Sequence, residues 1–393
     1  MELLWLYASV SASKRGTKAM DIAAQDDLEI VGIINHRGGG VGDAPSGPDF
    51  DPEHIRRAAM SQEAAGYDRV LIANTTIMPE SFAIGAYLSA ITTKLGFMLA
   101  HRPGPVMPTA AARHLATLDR LSEGRAAVHI IAGADDREVQ ADGAFNTKED
   151  RYRLAGEYVE VMRKMWSATE PFDYDGEFYK FRGSSAMIRP TLGSIPVYWG
   201  GTSDLALDVG GRVADVYAMG GDTFARAGAL ASGARAAAAR HGREIKVLMT
   251  MVILLGDNED AAWARADRLF DKVTAQMASV GNVAMGGKPG EPEEKAAAGA
   301  FQRMLSQSKE GDRLDSCLWT GLNKAYKGRG NNSVLVGTPQ QVADTLMEYR
   351  RLGVTRFLLR SPDQDRDAII IGRELVPELK ALMARERSLQ TAA

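Results

Sequence analysis

The sequence predicts an α/β protein built as a (β/α)8 TIM barrel. Eight short apolar runs alternate with amphipathic helical stretches along the 393 residues. Such runs are typical of strands buried on both faces, and their alternation with helices favours parallel βα units. Eight units match a closed barrel. An open doubly wound sheet is the main alternative, but no G-x-G-x-x-G follows the first run, which argues against a dinucleotide site.

The apolar runs fix the order of the predicted elements. Strands are expected at 3–9, 69–75, 94–100, 125–133, 196–201, 214–221, 245–256 and 356–362. The helical stretches that precede the second, third, fourth and fifth strands lie at 53–67, 81–92, 109–124 and 151–168. A strand-like excursion, "FDYDGEFYKFRG", follows the last of these helices.

Two segments are longer than the loops of a simple barrel. Residues 10–52 are rich in Gly, Asp and Ser, and residues 281–337 are long and mixed in composition. Long segments of this kind in compact domains are usually functional loops or disordered stretches. The second lies between the seventh and eighth strands, where an insertion crowds the catalytic mouth of a barrel. We therefore predict one domain over 1–393, with 281–337 as a lid.

Composition excludes several function classes. The net charge is −3, so the basic face that nucleic acids or anionic membranes require is not expected. Cys317 is the single cysteine and the six histidines are widely spaced, which predicts neither disulfides nor a metal site. Residues 1–10 lack the basic start and cleavage site of a signal peptide. A cytoplasmic protein is the expectation.

Polar residues follow several strands, where a barrel places its active site. They are Ser9, Ser11, Asn74, Thr75, His101, Arg102, Asp135, Asp136, Glu138, Arg360 and Asp363. The densest group is "YWGGTSD" at 198–204, in which two glycines allow close approach of a ligand and Thr202 and Ser203 add hydroxyls. The helix that follows would offer its N-terminus to a phosphate. An ordinary capped turn with Ser or Asp explains the same residues.

Three motifs together point to a family. "ATLDRLSEGR", "DRY" and "GGTSD", in this order, resemble the bacterial luciferase-like flavin monooxygenase superfamily, most closely the alkanesulfonate monooxygenase group. The resemblance implies a barrel with an insertion before the last strand. It also implies a homodimer or homotetramer that uses O2 and reduced FMN from a separate NAD(P)H-dependent reductase. Sulfonate enzymes of this group cleave a C–S bond to give an aldehyde and sulfite.

The resemblance also implies a flavin site. Its members correspond to Asn74, Thr75, His129, Glu138, Arg151, Tyr152, Thr202 and Ser203. An arginine with a helix N-terminus suits a dianionic phosphate. His129 stands where the family usually has asparagine, and on the local sequence alone it is a satisfied interior histidine.

The substrate positions depart from the family pattern. Thr250 and Val252 occupy the places of an arginine and a histidine, Met78 that of a cysteine and Pro362 that of a tyrosine. Replacing arginine by threonine removes a bidentate anion ligand. The cations that could substitute are Arg102, Lys324, Lys327, Arg329 and Arg360.

Several functions therefore remain open. The catalytic candidates are Arg329, Arg360 and His129, and no general base is assigned. The first expectation is a monooxygenase acting on a small sulfonate-type compound. The alternatives are the same chemistry on a sulfone, pyrimidine or other neutral heterocycle, a deazaflavin-dependent oxidoreductase, and a non-catalytic flavin-binding relative.

Overall fold

A computed structural model describes residues 28–43, 47–133, 136–280, 300–328 and 332–391. The predicted first strand at 3–9 and the candidate residues Ser9, Ser11, Asp135 and Arg329 lie outside these ranges.

The described chain contains thirteen strands and thirteen α-helices. The strands are β1 Glu29–Ile34, β2 Arg69–Ile72, β3 Gly96–His101, β4 Ala126–Ile130, β5 Phe172–Asp175, β6 Lys180–Ser184, β7 Val197–Gly200, β8 Val216–Gly220, β9 Lys246–Leu255, β10 Arg313–Leu314, β11 Leu318–Trp319, β12 Val334–Gly337 and β13 Arg356–Arg360. The helices are α1 Pro52–Ala64, α2 Ser81–Ile91, α3 Pro108–Leu121, α4 Asp136–Ala141, α5 Lys148–Ser167, α6 Asp204–Val213, α7 Phe224–Arg240, α8 Glu259–Val280, α9 Ala300–Glu310, α10 Gly321–Ala325, α11 Pro339–Arg351, α12 Gln364–Ile370 and α13 Val376–Thr391. None of the helices in the described part is long and apolar enough to cross a membrane.

Eight parallel strands close into a barrel. They follow one another around it as β1, β2, β3, β4, β7, β8, β9 and β13, and β13 pairs with β1 to complete the ring. The predicted (β/α)8 TIM barrel is confirmed. Seven of the predicted apolar runs overlap barrel strands, with ends that differ by a few residues.

The first strand was placed wrongly by the sequence pattern. The position between β2 and β13 is taken by Glu29–Ile34, which lies inside the segment expected to be irregular. This run is short, begins with a charged residue and contains Gly32, so its apolar signal is weak. The charge of Glu29 is compensated only by arginines that are distant in sequence.

Local signals explain where helices begin. Asp51 caps α1 by accepting a hydrogen bond from the His54 backbone N–H at 3.0 Å, and Pro52 occupies the first turn. Thr338 and Gln341 form a capping box at the start of α11. The predicted strand-like excursion is the β5–β6 hairpin, which the Glu157 carboxylate holds against α5 by accepting two backbone N–H bonds at 2.9 Å.

The segment between β9 and β13, which we call the insertion, is partly built into the sheet. It runs from α8 through α11, and its strand β12 pairs with β9 from Val252 to Leu255. The pairing of β8 with β9 ends at Gly220 and Thr250. Beyond this point β12 pairs with β9 instead. Residues 334–337 are therefore a strand of the main sheet and not a loop.

Side chains of the barrel strands divide into two sets. Those that face outward join the main core beneath the helices. Those that face inward form a separate apolar cluster of one residue from each of seven strands, namely Val31, Met98, Ala127, Tyr198, Val216, Leu248 and Leu358. This division follows from the alternation of side chains along a strand.

A charged cluster closes the N-terminal end of the barrel. The Glu29 carboxylate contacts Arg69 at 3.0 Å and Arg356 at 2.8 Å, and the Tyr198 hydroxyl donates to it at 2.6 Å. Burial opposes the ionisation of Glu29, but the two guanidinium groups outweigh it and hold the pKa below its ordinary value. The negative charge is thus part of the folded state.

Replacing Glu29 by glutamine is expected to destabilise the fold. Two mostly buried arginines would lose their counter-charge, and breaking such a pair costs roughly 3–5 kcal/mol. Urea denaturation of E29Q should show this loss in the free energy of unfolding. The matched control is E53Q, which removes an exposed ion pair with Arg56 and should leave stability unchanged.

The contribution of Glu29 to the free energy of unfolding should depend on pH in a defined direction. Because the pKa of Glu29 is lowered in the folded state, its contribution is fully present above the unfolded pKa and is lost as the pH falls through the folded value. The difference in stability between wild type and E29Q should therefore shrink in acid. A difference that persists unchanged at low pH would contradict the assignment of this role to the carboxylate.

Candidate active site

The C-terminal end of the barrel contains an open well. Inward-facing residues near this end are partly exposed, whereas their outward-facing neighbours, such as Ile34, Trp199 and Leu359, are buried. The well is lined by Ile33, His129, Gly200, Gly220, Thr250 and Arg360. Each lies two or four residues beyond a member of the inward apolar cluster and so faces the same way. A TIM barrel places its active site at this end.

His129 lies in the wall of the well and has an unsatisfied ring nitrogen. Its Nδ1 is buried and has no hydrogen-bond partner within the described chain. Burial lowers the pKa of His129 to about 4, so the imidazole is neutral near pH 7. A Cβ at Gly200 would lie 3.9 Å from His129 Nε2, and the glycine therefore keeps the space beside the ring open. The expectation of a satisfied interior histidine is not met.

Arg102 ties together the loops that follow β2, β3 and β4. Its guanidinium contacts Glu138 at 2.5 Å and Asp142 at 2.9 Å and donates to the Thr76 hydroxyl at 2.8 Å. Only 10% of the Arg102 side chain is exposed. Two carboxylates already balance its charge. The structure thus places the predicted substrate ligand Arg102 and the predicted flavin contact Glu138 against each other.

The loop after β7 forms a cradle. Gly201 has a φ of +148°, and a Cβ there would lie 2.5 Å from the Ala206 Cβ and 2.8 Å from the Tyr152 hydroxyl. Ser203 caps α6 by accepting from the Ala206 backbone N–H at 3.2 Å. An acceptor hydroxyl of this kind keeps its own proton for donation, and the free N–H groups of the helix N-terminus attract anions.

Two tyrosines support this cradle. The Tyr217 hydroxyl donates to the Gly201 carbonyl at 2.9 Å, and Tyr152 packs on Trp199 with ring centroids 6.0 Å apart. Burial raises the pKa of both hydroxyls, so both remain protonated donors. Tyr217 was not among the predicted site residues.

Arg151 organises the loop after β4. It donates to the Asp136 carboxylate and to the Asn146 carbonyl, both at 2.8 Å, and to the Gly133 carbonyl at 3.4 Å. Gly133 has a φ of +90°, and a Cβ there would lie 2.3 Å from Val139. The predicted phosphate ligand is therefore engaged with the backbone of its own loop.

The insertion is anchored beside the well through Asp222. This buried carboxylate accepts from Arg226 Nε at 2.7 Å and from Gln307 Nε2 of α9 at 3.1 Å. The Tyr349 hydroxyl donates to the Asp222 carbonyl at 2.6 Å. Helix α9 therefore rests on the end of β8. Gln307 was not among the predicted site residues, and its helical spacing indicates only that it shares a face with Arg303.

The remaining predicted substrate residues are dispersed. Thr250 faces the well, and Arg360 reaches it from the end of β13, where burial lowers its pKa and nearby Tyr326 opposes that change. Met78 lies in the turn after β2. Lys324 and Lys327 line a surface groove between α8 and α10, and Lys324 pairs with Asp312 at 3.5 Å.

Comparison with known proteins identifies the family. The family model described as luciferase-like monooxygenase matches residues 30–356. The chain belongs to this family. It is thus an enzyme of a class of flavin-dependent monooxygenases, and the superfamily suggested by the sequence motifs is confirmed. Membership of the alkanesulfonate-specific group stays a prediction.

Solved structures share the fold of this luciferase-like monooxygenase. A riboflavin lyase, determined with modified FMN and riboflavin, aligns at a TM-score of 0.72 with 19% identity over 92% of each chain. EDTA monooxygenase from Chelativorans sp. BNC1 aligns at 0.70 with 19% identity over 90% of this chain and 94% of that one. A coenzyme F420-dependent tetrahydromethanopterin reductase from Methanopyrus kandleri aligns at 0.64 with 18% identity over 90% and 100%.

Replacing Arg102 by methionine is expected to loosen three loops at once. The change leaves Glu138 and Asp142 without their shared partner, at a cost of roughly 1–3 kcal/mol. Hydrogen exchange of residues 136–142 should accelerate in R102M. Unchanged exchange there would show that the ion pairs do not hold the loop. R153M is the control because it removes an exposed arginine from the neighbouring helix.

Replacing His129 by leucine is expected to weaken binding of a reduced flavin about 5- to 10-fold, the value of one hydrogen bond. H129N should recover most of the loss because its amide can also donate. Anaerobic fluorescence titration measures both. Replacement of the peripheral His241 by leucine should have no effect. Equal affinity of wild type and H129L would exclude a hydrogen bond from the imidazole to the flavin.

Proposed function

We propose that this enzyme is the oxygenase of a two-component system. It would take reduced FMN from a separate NAD(P)H-dependent flavin reductase and use O2 to oxygenate a small organosulfur compound of the sulfonate type. The observation that carries this proposal is the open well with a phosphate cradle at its rim. Family membership supplies the reaction class.

The residues fit a flavin mononucleotide in three respects. Gly200 and Gly220 carry no side chain where their strands reach the well, which leaves room for a flat ring. The imidazole of His129, whose Nε2 lies beside Gly200, can hydrogen-bond a ring heteroatom. Ser203 and the N-terminus of α6 suit a terminal phosphate. Asn74, Thr75 and Thr202 remain proposed contacts at the same rim.

The bound flavin would activate O2, and the protein would supply position and shelter. The neutral imidazole of His129 would orient the ring. The insertion, anchored through Asp222 and Gln307, would keep water from the well. We assign no general base.

The charges at the rim bear on the substrate. The Arg102 guanidinium is balanced by two carboxylates, and Thr250 offers a hydroxyl where the family's sulfonate enzymes carry an arginine. Arg360 is an inward-facing cation at the end of β13, and it is the residue that we propose to contact a sulfonate group at the rim. These observations favour a small substrate with at most one anionic group. They also support a neutral sulfone or heterocycle as the second candidate.

A reconstituted assay should separate the candidates. The mixture contains the enzyme, FMN, NADH, O2 and an unrelated flavin reductase, with methanesulfonate, dimethylsulfone or uracil as the trial substrate. O2-dependent release of sulfite from methanesulfonate is the expected result. Consumption of a neutral substrate alone would select the second candidate. Substrate reduction by a reduced deazaflavin without O2 would overturn the oxygenase proposal.

Arg360 provides the accompanying variant. With a sulfonate, R360M should raise KM at least 10-fold with a smaller effect on kcat, because a charge-assisted contact to the anion is lost. R360K should recover part of the change. R366Q, which removes an exposed arginine from α12, should behave as wild type. An unchanged KM in R360M would exclude an Arg360–sulfonate contact.

A further inference from the structure

Arg303 is a partly buried cation on α9. Its Nε is shielded from solvent and has no hydrogen-bond partner in the described structure. Its guanidinium likewise forms no ion pair with a carboxylate of the described residues. Other arginines near the site, including Arg102, Arg151 and Arg226, are all paired. A polar atom that is shielded from water and unpaired is costly, which suggests that a ligand completes the environment of the Arg303 side chain.

The position of α9 directs Arg303 toward the phosphate cradle. Gln307, one helical turn later, donates to Asp222 just past the end of β8. Residues four apart share a helix face, so Arg303 also faces the barrel strands. Tyr217 lies in the middle of β8. Burial raises the pKa of Tyr217 and the charge of Arg303 opposes that rise, in agreement with a guanidinium close to the Tyr217 hydroxyl.

Tyr217 connects Arg303 to the cradle itself. Its hydroxyl donates to the Gly201 carbonyl at 2.9 Å, and Gly201 leads directly into the N-cap Ser203. The unpaired cation and the N-terminus of α6 therefore lie on the same side of the β7–β8 pair. A helix N-terminus contributes about half a positive charge, and an arginine adds a full one. Together they match a dianion better than either does alone.

We propose that Arg303 binds the terminal phosphate of FMN, so that the insertion contributes a ligand to the phosphate group of the cofactor. This inference rests on the proposed function, because it assumes that the flavin phosphate lies at Ser203. It makes Arg303 a specificity-determining residue that selects FMN over riboflavin. It also couples cofactor binding to the insertion, since α9 is held on the barrel by Gln307–Asp222 and Glu310–Arg226 contacts.

The test compares two flavins that differ only in the phosphate. Dissociation constants for FMN and riboflavin are measured by anaerobic titration of wild type, R303Q, R303K and K309Q. Lys309 lies on the same helix and is exposed, so K309Q removes an equal charge from the same element. We expect R303Q to weaken FMN about 10- to 100-fold, with riboflavin unchanged. R303K should fall between wild type and R303Q, and K309Q should match wild type.

The outcomes separate the inference from its premise. Equal weakening of both flavins in R303Q would mean that Arg303 only supports the fold, and the inference would fail. An unchanged FMN affinity in R303Q, with wild type still preferring FMN, would also overturn it while leaving the cradle in place. No preference for FMN over riboflavin in wild type would instead overturn the phosphate site of the proposed function. Thermal unfolding of each variant checks that the fold is retained.

Discussion

The structure depends on one constraint, the filling of a closed barrel by every second side chain of its strands. In the middle layer the inward positions are large enough to pack, with Tyr198, Leu248 and Leu358 among them. Near the C-terminal end the same positions become Gly200 and Gly220, which cannot fill the space. The barrel is therefore packed in its middle layer and open at its C-terminal end, and this opening is the candidate site.

The supports of the site come from outside the strands. Arg102 joins three loops through Glu138 and Asp142, and Asp222 holds the insertion against β8. These contacts link residues far apart in the chain, so the rim of the well is fixed by long-range polar interactions. A rigid rim is what positioning a flat cofactor requires. The charged side chains of Arg102 and Asp222 at the rim form ion pairs with other residues of the protein.

Much of this could be predicted from the sequence, for physical reasons. Strands buried on both faces leave long apolar runs, so seven barrel strands and the helices between them were recognisable. The first strand could not be recognised from the sequence because it begins with the charged Glu29. The arginines that compensate this charge lie far away in the sequence. The cradle at 200–203 was visible because glycine and capping residues act locally. The partners of Arg102 and the place of Arg303 depend on tertiary contacts, which no local pattern encodes.

Strand β9 pairs both with strands of the barrel and with a strand of the insertion. Its first half closes the barrel between β8 and β13, and its second half pairs with β12 of the insertion. The insertion is thus an extension of the barrel wall. An attempt to exchange substrate range between relatives by grafting this region would have to carry the second half of β9 and all of β12 with it. A graft limited to the intervening segment would have to pair its own β11 with the β12 of the host, and recombination within this family should avoid that junction.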